Sequence, residues 1–381
     1  MRIVSLRVAQ FRNYESVELE PHPRLNLVVG PNAQGKTNLL EAIWVLGGAR
    51  SPRASDPRAM IRFGHPQAVV EARLSLDATG AERDLRLDLR PGGRLFRING
   101  KAITRHADVL GTLAALWFSP DEVDVVRGGP AHRRRFIDLI LAQADPLYRA
   151  GLLRYVQVLR QRNGLLRAAV KGASASAALL AIWDEELAQS GAELVVGRLG
   201  LLRDLAPVAS LVYQRMAGDG APLEVAYQAR YDIGPSGSPD AEAVREGLLR
   251  RLQALRVAER ARGVTLAGPH RDDLVVRAGE TDLRHYGSRG QQRMAAVALF
   301  VAAWEWMRAR LGEAPVLLLD DVTSELDELR RRRLLTVLPA EAQTFITATE
   351  ASLLEGAGPS PGAPGRTWRV SAGRLELVPG R

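Results

Sequence analysis

The sequence predicts an α/β protein whose mixed sheet, with flanking helices, is split by an inserted helical lobe. Three observations carry that prediction. Gly30-Pro31-Asn32-Ala33-Gln34-Gly35-Lys36-Thr37 is a complete G-x-x-x-x-G-K-[ST] loop between a strand-like and a helix-like run. Pro315-Val316-Leu317-Leu318-Leu319-Asp320-Asp321 reads as a buried parallel strand ending in two carboxylates. Between them the residue pattern changes from alternating to helical and back. Residues 1–130 are expected to form the N-terminal half of the α/β domain, 131–262 a helical lobe with a helical hairpin, and 263–381 the C-terminal half.

Taken in order, Ile3 to Phe11 alternates as a strand, Arg12-Asn13-Tyr14 turns, and Ser16 to Leu19 starts a return strand. Leu25 to Val29 is a short apolar strand running into the glycine loop, and Asn38 to Leu46 has helical periodicity that Gly47-Gly48 stops. Alternating segments between Ala68 and Ile98 suggest an antiparallel sheet, with Pro91-Gly92-Gly93 and Asn99-Gly100 as turns. Arg135 to Leu166 and Ala177 to Met216 read as two long helices joined by the small-residue tip Gly172–Ser176, hence an antiparallel hairpin. A strand at Leu223–Arg230 and a helix at Asp240–Ala261 follow, and strand character resumes at Val264-Thr265-Leu266. The Gly/Pro-rich stretch 356–365 reads as a loop.

Composition narrows the partners. The chain has 381 residues, 46% hydrophobic and 25% charged, as an ordinary globular protein does. It has no cysteine, which excludes disulfides, thiolate metal sites and thiol nucleophiles and fits a reducing cytoplasm. No apolar run approaches the ~18 residues of a membrane span, so a membrane partner is not expected. The 52 Lys+Arg against 43 Asp+Glu leave a formal charge of +9, nearly all of it from arginine, since Lys36, Lys101 and Lys171 are the only lysines. Arginine's planar fork suits phosphate, and the excess points to nucleic acid. Arg133–Arg135 and Arg330–Arg333 are candidate contacts, against the commoner reading of solvated helix faces.

The loop carries phosphate chemistry. Its glycines let backbone N–H groups approach an anion at a helix N-terminus; Lys36 reaches β/γ-phosphates, and the Thr37 hydroxyl can hold Mg²⁺. Gly30, Pro31, Asn32, Ala33, Gln34, Gly35, Lys36, Thr37 and Asn38 are therefore the expected ATP-binding residues. Asp320 is the second Mg²⁺ ligand, and Asp321 is placed to orient or deprotonate water. Ahead of that strand, Tyr286-Gly287-Ser288-Arg289-Gly290-Gln291-Gln292-Arg293 opens a long helix, Met294 to Arg310. Ser288 and Gly290, with Gln291, make a second anion site at a helix N-terminus. One phosphate loop and one Ser-x-Gly helix in a chain is the pattern of ATP-binding-cassette enzymes, in which the helix of one protomer closes on the nucleotide of another. Ser288 thus joins Lys36 and Asp321 as a candidate catalytic residue, and Asp327, in Ser324-Glu325-Leu326-Asp327, joins the nucleotide contacts.

With these motifs in view the whole chain resembles the RecF family, bacterial recombinational-repair ATPases related to the SMC group. The resemblance rests on Phe11-Arg12-Asn13-Tyr14, Gly30–Asn38, Phe118-Ser119-Pro120, Arg133-Arg134-Arg135-Phe136, Gly268–Leu274, Gly287–Gln292 and Leu317–Asp327. It implies a cassette-type ATPase head with a helical second lobe, an ATP-dependent homodimer on duplex DNA and single-strand/duplex junctions, and help to RecR and RecO in loading RecA. There are departures. Phe118–Asp124 carries no Gln where a cassette has its Gln loop, Phe345–Thr349 offers Thr instead of a switch His, and Asp321 stands where most cassettes have Glu, so slow turnover is expected. No role is assigned to Arg50-Ser51-Pro52-Arg53, where the family would have His-Arg after the Ser. Two other readings compete. The ATPase subunit of a transporter gives no reason for the basic excess or the insert, and an SMC-like structural clamp needs coiled coils longer than this hairpin.

Overall fold

The computed structural model describes residues 1–171, 177–218, 220–234, 240–322, 328–350 and 365–378. The chain divides into two compact units, Met1–Glu122 with Phe300–Arg381, and Val123–Leu299. Its strands are β1 (Arg2–Phe11), β2 (Tyr14–Leu19), β3 (Leu25–Val29), β4 (Ala68–Ser75), β5 (Glu82–Arg90), β6 (Gly93–Ile98), β7 (Lys101–Ile103), β8 (Ala115–Phe118), β9 (Leu223–Gln228), β10 (Asp273–Ala278), β11 (Thr281–Asp282), β12 (Val316–Leu319), β13 (Thr344–Ala348), β14 (Gly365–Ser371) and β15 (Arg374–Val378). The α-helices are α1 (Lys36–Leu46), α2 (Asp124–Arg127), α3 (Pro130–Ala144), α4 (Pro146–Val170), α5 (Ala177–Ala217), α6 (Ala241–Arg262), α7 (Arg289–Leu311) and α8 (Glu328–Val337).

The first unit holds two six-stranded sheets. One is antiparallel, in the order β2-β1-β4-β5-β6-β7, and alternation in β1 puts Leu6 and Val8 inside. Asn99 and Gly100, both at positive φ, close the β6–β7 hairpin as a two-residue turn of the primed kind. The other sheet runs β15-β14-β3-β13-β12-β8 and is parallel from β14 through β8. Its strands β3, β13, β12 and β8 are buried on both faces, which is why they read as continuous apolar runs. Register aligns Leu319 with Ile346 and Phe118, and Ala348 with Val29. The glycine loop, Asp320 and the end of β13 therefore leave the sheet along its C-terminal edge, where parallel sheets bind ligands.

The second unit packs α3 to α6 with the three-stranded sheet β11-β10-β9. Buried arginines tie it together. Arg162 donates to Asp184 (2.7 Å), Glu259 (2.6 Å) and Thr265 (2.8 Å), linking α4, α5, α6 and the segment after α6. Arg198 grips Asp138 through two 2.9 Å bonds and also donates to the Pro269 carbonyl.

Three local expectations change. The single helix expected from Arg135 to Leu166 is two, because the Asp145 carboxylate caps α4 by accepting from Leu147 N (2.8 Å) and Tyr148 N (3.2 Å), with Pro146 at the first helical position. Val264–Leu266 is not a strand: Thr265 N donates to the Asn163 side chain and Leu266 N to the Glu259 carboxylate, each at 2.7 Å, so side chains take the bonds a ladder would use. The helix expected from Met294 starts at Arg289, which puts Gly290 inside its first turn. The tip Gly172–Ser176 and most of the 356–365 loop lie outside the described residues.

Candidate functional site

The glycine loop is built by β3 and α1 and held from outside by residues far away in the chain. Gly30 has φ +153 and Gly35 φ +118; a Cβ on Gly30 would lie 2.3 Å from the Val370 carbonyl oxygen, and one on Gly35 2.6 Å from Asn13 Oδ1. No other residue type fits either position. Asn13 donates to the Gln34 carbonyl (2.7 Å), the Tyr14 hydroxyl to the Gly35 carbonyl (2.8 Å), and Ala372 N to the Gln34 side chain (2.6 Å). The Asn38 amide bonds Asn13 (2.8 Å) on one side and accepts from Arg53 (2.9 Å) on the other. Pro31, Asn32 and Ala33 face solvent, and the loop presents its backbone there.

Lys36 is buried, its ammonium donating to the carbonyls of Gly30 (2.6 Å) and Pro31 (2.9 Å). Burial pulls its pKa down, while the Asp321 and Asp320 carboxylates hold it up. Those carboxylates follow β12, which is separated from β3 in the sheet by β13. The Thr37 hydroxyl donates to Asp320 Oδ1 at 3.0 Å, and the same oxygen accepts from the Thr347 hydroxyl at 2.8 Å. Thr347 Oγ1 in turn accepts from Asp321 N at 2.8 Å. One buried hydroxyl thus links the two carboxylate residues. Asp321 has φ +50, a left-handed conformation that Asp tolerates better than most residues and that turns the chain out of the sheet. Burial raises the Asp320 pKa; the Thr347 and Thr37 bonds lower it, the Asp321 charge raises it, and Arg53 lowers it.

This donor set suits Mg²⁺. Thr37 and Asp320 offer one hydroxyl and one carboxylate side by side, and a carboxylate whose charged form is disfavoured by burial gains from a cation. Mg²⁺ is commonly held by one or two carboxylates plus phosphate and water, and no all-protein metal cage occurs among the described residues.

In the second unit Ser288 and Gln291 form a capping box at α7: Gln291 N donates to Ser288 Oγ (3.2 Å) and Ser288 N to Gln291 Oε1 (2.9 Å). Ser288 is exposed, and its hydroxyl keeps a proton to donate. The string Gly268–Leu274 works inside this unit. Asp272 Oδ2 accepts from Tyr227 (2.7 Å) and Tyr231 (2.6 Å), and Tyr155 bonds His270 at 2.6 Å. Asp273 takes Arg133 by two bonds, 2.6 and 2.9 Å. Arg133 is 1% exposed, so that member of the Arg133–Arg135 run is a core residue and offers nothing to DNA; Arg135 is exposed.

The structure therefore brings Lys36, Thr37, Asp320 and Asp321 together, with Gly30 to Asn38 around them. Ser288, Gly290 and Gln291 sit on the other unit, and Asp327 and Ser324 lie outside the described residues, as do the side chains of Arg330–Arg332. Sequence reasoning missed Thr347 as the link between the aspartates and Asn13 as the brace of the loop. It also missed Glu41, fully buried, which accepts from Arg12 (2.6 and 2.8 Å) and Ser51 (2.5 Å) and so anchors the loop that carries Arg53 to the nucleotide side. The signal available was a buried-position Glu on an otherwise apolar helix face, which demands a partner.

Residues 2–362 match the RecF/RecN/SMC N terminal domain family. The "DNA replication and repair protein RecF" of Symbiobacterium thermophilum is 42% identical over 99% of this chain and 98% of its own length, and that of Roseiflexus castenholzii 39% identical over 98% and 99%. A solved structure of the recombination mediator protein RecF with ATP, in the RecFOR pathway, superposes with a TM-score of 0.88 at 30% identity, covering 99% of this chain and 98% of that one. Full-length similarity in sequence and fold, around a phosphate loop paired with two strand-end carboxylates, makes this chain a member of the RecF family of SMC-related ATPases.

Proposed function

We propose that the chain binds ATP with Mg²⁺ at Gly30–Asn38 and uses binding and slow hydrolysis to close and reopen a homodimer on DNA. The observation that carries this reading is the run of hydrogen bonds Thr37–Asp320–Thr347–Asp321 beside Lys36. It supports giving the two adjacent carboxylates different roles. Asp320, bonded to the Thr37 hydroxyl, faces the metal position; Asp321, turned out of the sheet at positive φ, is assigned to take a proton from water. Lys36 exchanges the Gly30 and Pro31 carbonyls for β/γ-phosphate oxygens, and the N–H groups at the start of α1 take the rest. Mg²⁺ on Thr37 and Asp320 would neutralise charge on the phosphate oxygens. Asp321 is one methylene shorter than the Glu most cassettes carry at this position, so it must sit closer to the water or act through a second one, and turnover is slow.

Ser288 and Gly290 of a second copy complete the nucleotide site, burying two nucleotides across a two-fold axis. Gln291 supports this by fixing Ser288 in the capping box, and Asp327 is assigned to the same interface. Removing the γ-phosphate removes the attraction that holds the dimer. DNA, duplex or junction, is held mainly through its phosphates, as the arginine excess suggests. The names of the relatives and of the solved structure support a place with RecR and RecO in DNA repair; on this reading the protein acts in the cytoplasm and helps load RecA.

Sedimentation with ATP and Mg²⁺ tests the composite site. Ser288→Arg should keep nucleotide binding to the monomer and lose ATP-dependent dimerisation, whereas Lys36→Met should lose both. A Ser288→Arg protein that dimerises like the parent would place the second anion site elsewhere.

A further inference from the structure

The arginines of the first unit fall into two electrostatic classes. On one face of the antiparallel sheet, Arg7 pairs with Glu18 (3.2 Å), Arg73 with Asp84 (3.3 Å), Arg86 with Asp88 (2.8 Å), and Arg97 with Asp88. Arg7, Arg73, Arg86 and Arg97 line a cleft of about 830 Å³ together with Glu18, Glu71 and Asp84, so most of the positive charge there is already matched by carboxylates. The segment joining α1 to β4 is different. Arg50 and Arg58, with Arg94 on β6, have no carboxylate in ion-pair reach among the described residues. Arg58 donates to the Pro91 carbonyl (3.3 Å) and Arg94 to the Ala49 carbonyl (3.4 Å), which gathers the three at the β5–β6 hairpin. Burial and the neighbouring Arg50 lower the Arg94 pKa, and burial, Arg94 and Arg50 lower that of His106. Cations held close enough to repel one another want an anion.

The same segment displays an aromatic ring. Among the described residues Phe63 is the most exposed large hydrophobic side chain, with its whole surface in solvent. It does not hang on a slack loop. His65 N donates to the Arg62 carbonyl (3.1 Å) across a turn in which Gly64 has φ +82. That turn is fastened by Arg62 N to Gln10 O (2.8 Å), by Arg12 N to Met60 O (2.8 Å), and by the bridge between Ile61 and Phe11. Arg62 also pairs with Glu15 (3.2 Å). A Phe side chain gains stability by leaving water, so a ring held out on an anchored turn is a lost contribution unless something covers it. One ring buries too little apolar surface to anchor a protein in a membrane. An unstacked base matches it in size and in having an apolar face, and the phosphates beside that base match the unpaired arginines.

We propose that Phe63 stacks on an unpaired base where duplex DNA gives way to a single strand, while Arg50, Arg58 and Arg94 hold the flanking phosphates. This rests on the reading of the chain as a DNA-binding ATPase and adds the element that distinguishes a junction from plain duplex. The test uses the full chain with Mg²⁺ and a non-hydrolysable ATP analogue. Anisotropy is measured on a duplex, a single strand, and a duplex with an overhang whose first unpaired base is 2-aminopurine. Phe63→Ala should lose about tenfold or more affinity for the junction DNA, the worth of one base–aromatic stack, and leave the plain duplex within about twofold. The 2-aminopurine fluorescence change should vanish in Phe63→Ala and return in Phe63→Trp. Joint Arg50→Ala and Arg94→Ala substitution should weaken both duplex and junction and flatten the log–log salt slope by about 2. Parental junction affinity and an unchanged 2-aminopurine signal in Phe63→Ala overturn the proposal and leave the DNA-binding reading intact. So does a Phe63→Ala protein that keeps junction binding and loses binding to vesicles of anionic phospholipid. Failure of the parent protein to bind any of the three DNAs defeats the broader reading as well.

Discussion

Thr347 is the sharpest point at which to strike the site. Its hydroxyl is fully buried, donates to Asp320 Oδ1 at 2.8 Å and accepts from Asp321 N at 2.8 Å. Thr347→Val keeps the shape and removes both bonds. A hydrogen bond to a charged group contributes about 1.5–3 kcal/mol, and Asp321 loses the acceptor that helps hold it at φ +50. If that stabilisation is realised at the transition state, turnover should fall about 10- to 100-fold. A second readout separates positioning from mere loss of folded protein. The Thr347 bond lowers the Asp320 pKa, which burial has raised; without it the pKa rises further and the carboxylate is protonated at higher pH. The acid limb of the ATPase pH profile should therefore move to higher pH in Thr347→Val. Thr347→Ser, which retains the hydroxyl, should restore both rate and limb. A Thr347→Val enzyme with the parental rate and an unmoved acid limb would refute the reasoning.

Two further outcomes follow, one from the same contacts and one from the second unit. Asp321→Asn should bind ATP and close on DNA but hydrolyse too slowly to release it, since an amide cannot accept the proton; dissociation from DNA and turnover measured side by side check this, and near-normal turnover would mean the base lies elsewhere. Asp272 is buried with Oδ1 unpartnered among the described residues, and burial pushes its pKa up from 3.8 to about 6. Between about pH 4 and pH 6 the folded state keeps a proton that the unfolded chain has released, so this group's contribution to stability falls as pH rises, by about 3 kcal/mol in all. Asp272→Asn can still accept from Tyr227 and Tyr231, so in thermal melts its advantage over the parent should grow from about pH 4.5 to about pH 7.5; a shrinking advantage would reverse the assignment.

What could be read in the sequence was what is local. The strand Leu25–Val29, the loop after it and the two aspartates after β12 declare themselves within a dozen residues, because glycine geometry and a doubly buried strand are short-range demands. Thr347 could not be read this way. It lies 26 residues from Asp321, and in the sequence it stands only as a Thr in the segment where a cassette has its switch His, with nothing to tie it to the aspartates. Asn13 and Gln34, 21 residues apart, are related only through the fold. The break at Asp145-Pro146 was legible and overridden: a capping residue followed by proline outweighs a helical period that continues across it.

The arginines teach the most about where charge reasoning fails. A net excess counts cations without asking which are spent. Arg133, Arg162 and Arg198 all lie inside the second unit, committed to Asp273, to Asp184 with Glu259, and to Asp138. The burial of Arg133 follows helical spacing, since Ile137, Ile140 and Leu141 share its face, so a run of three arginines at a helix start points only partly outward. Arg7, Arg73, Arg86 and Arg97 are neutralised on the sheet. Charge available to a polyanion is the charge left after pairing. In the described part of the first unit that remainder includes Arg50, Arg58 and Arg94, gathered where an exposed aromatic ring follows five residues after Arg58. Their lack of partners, more than their number, makes them the residues to mutate first.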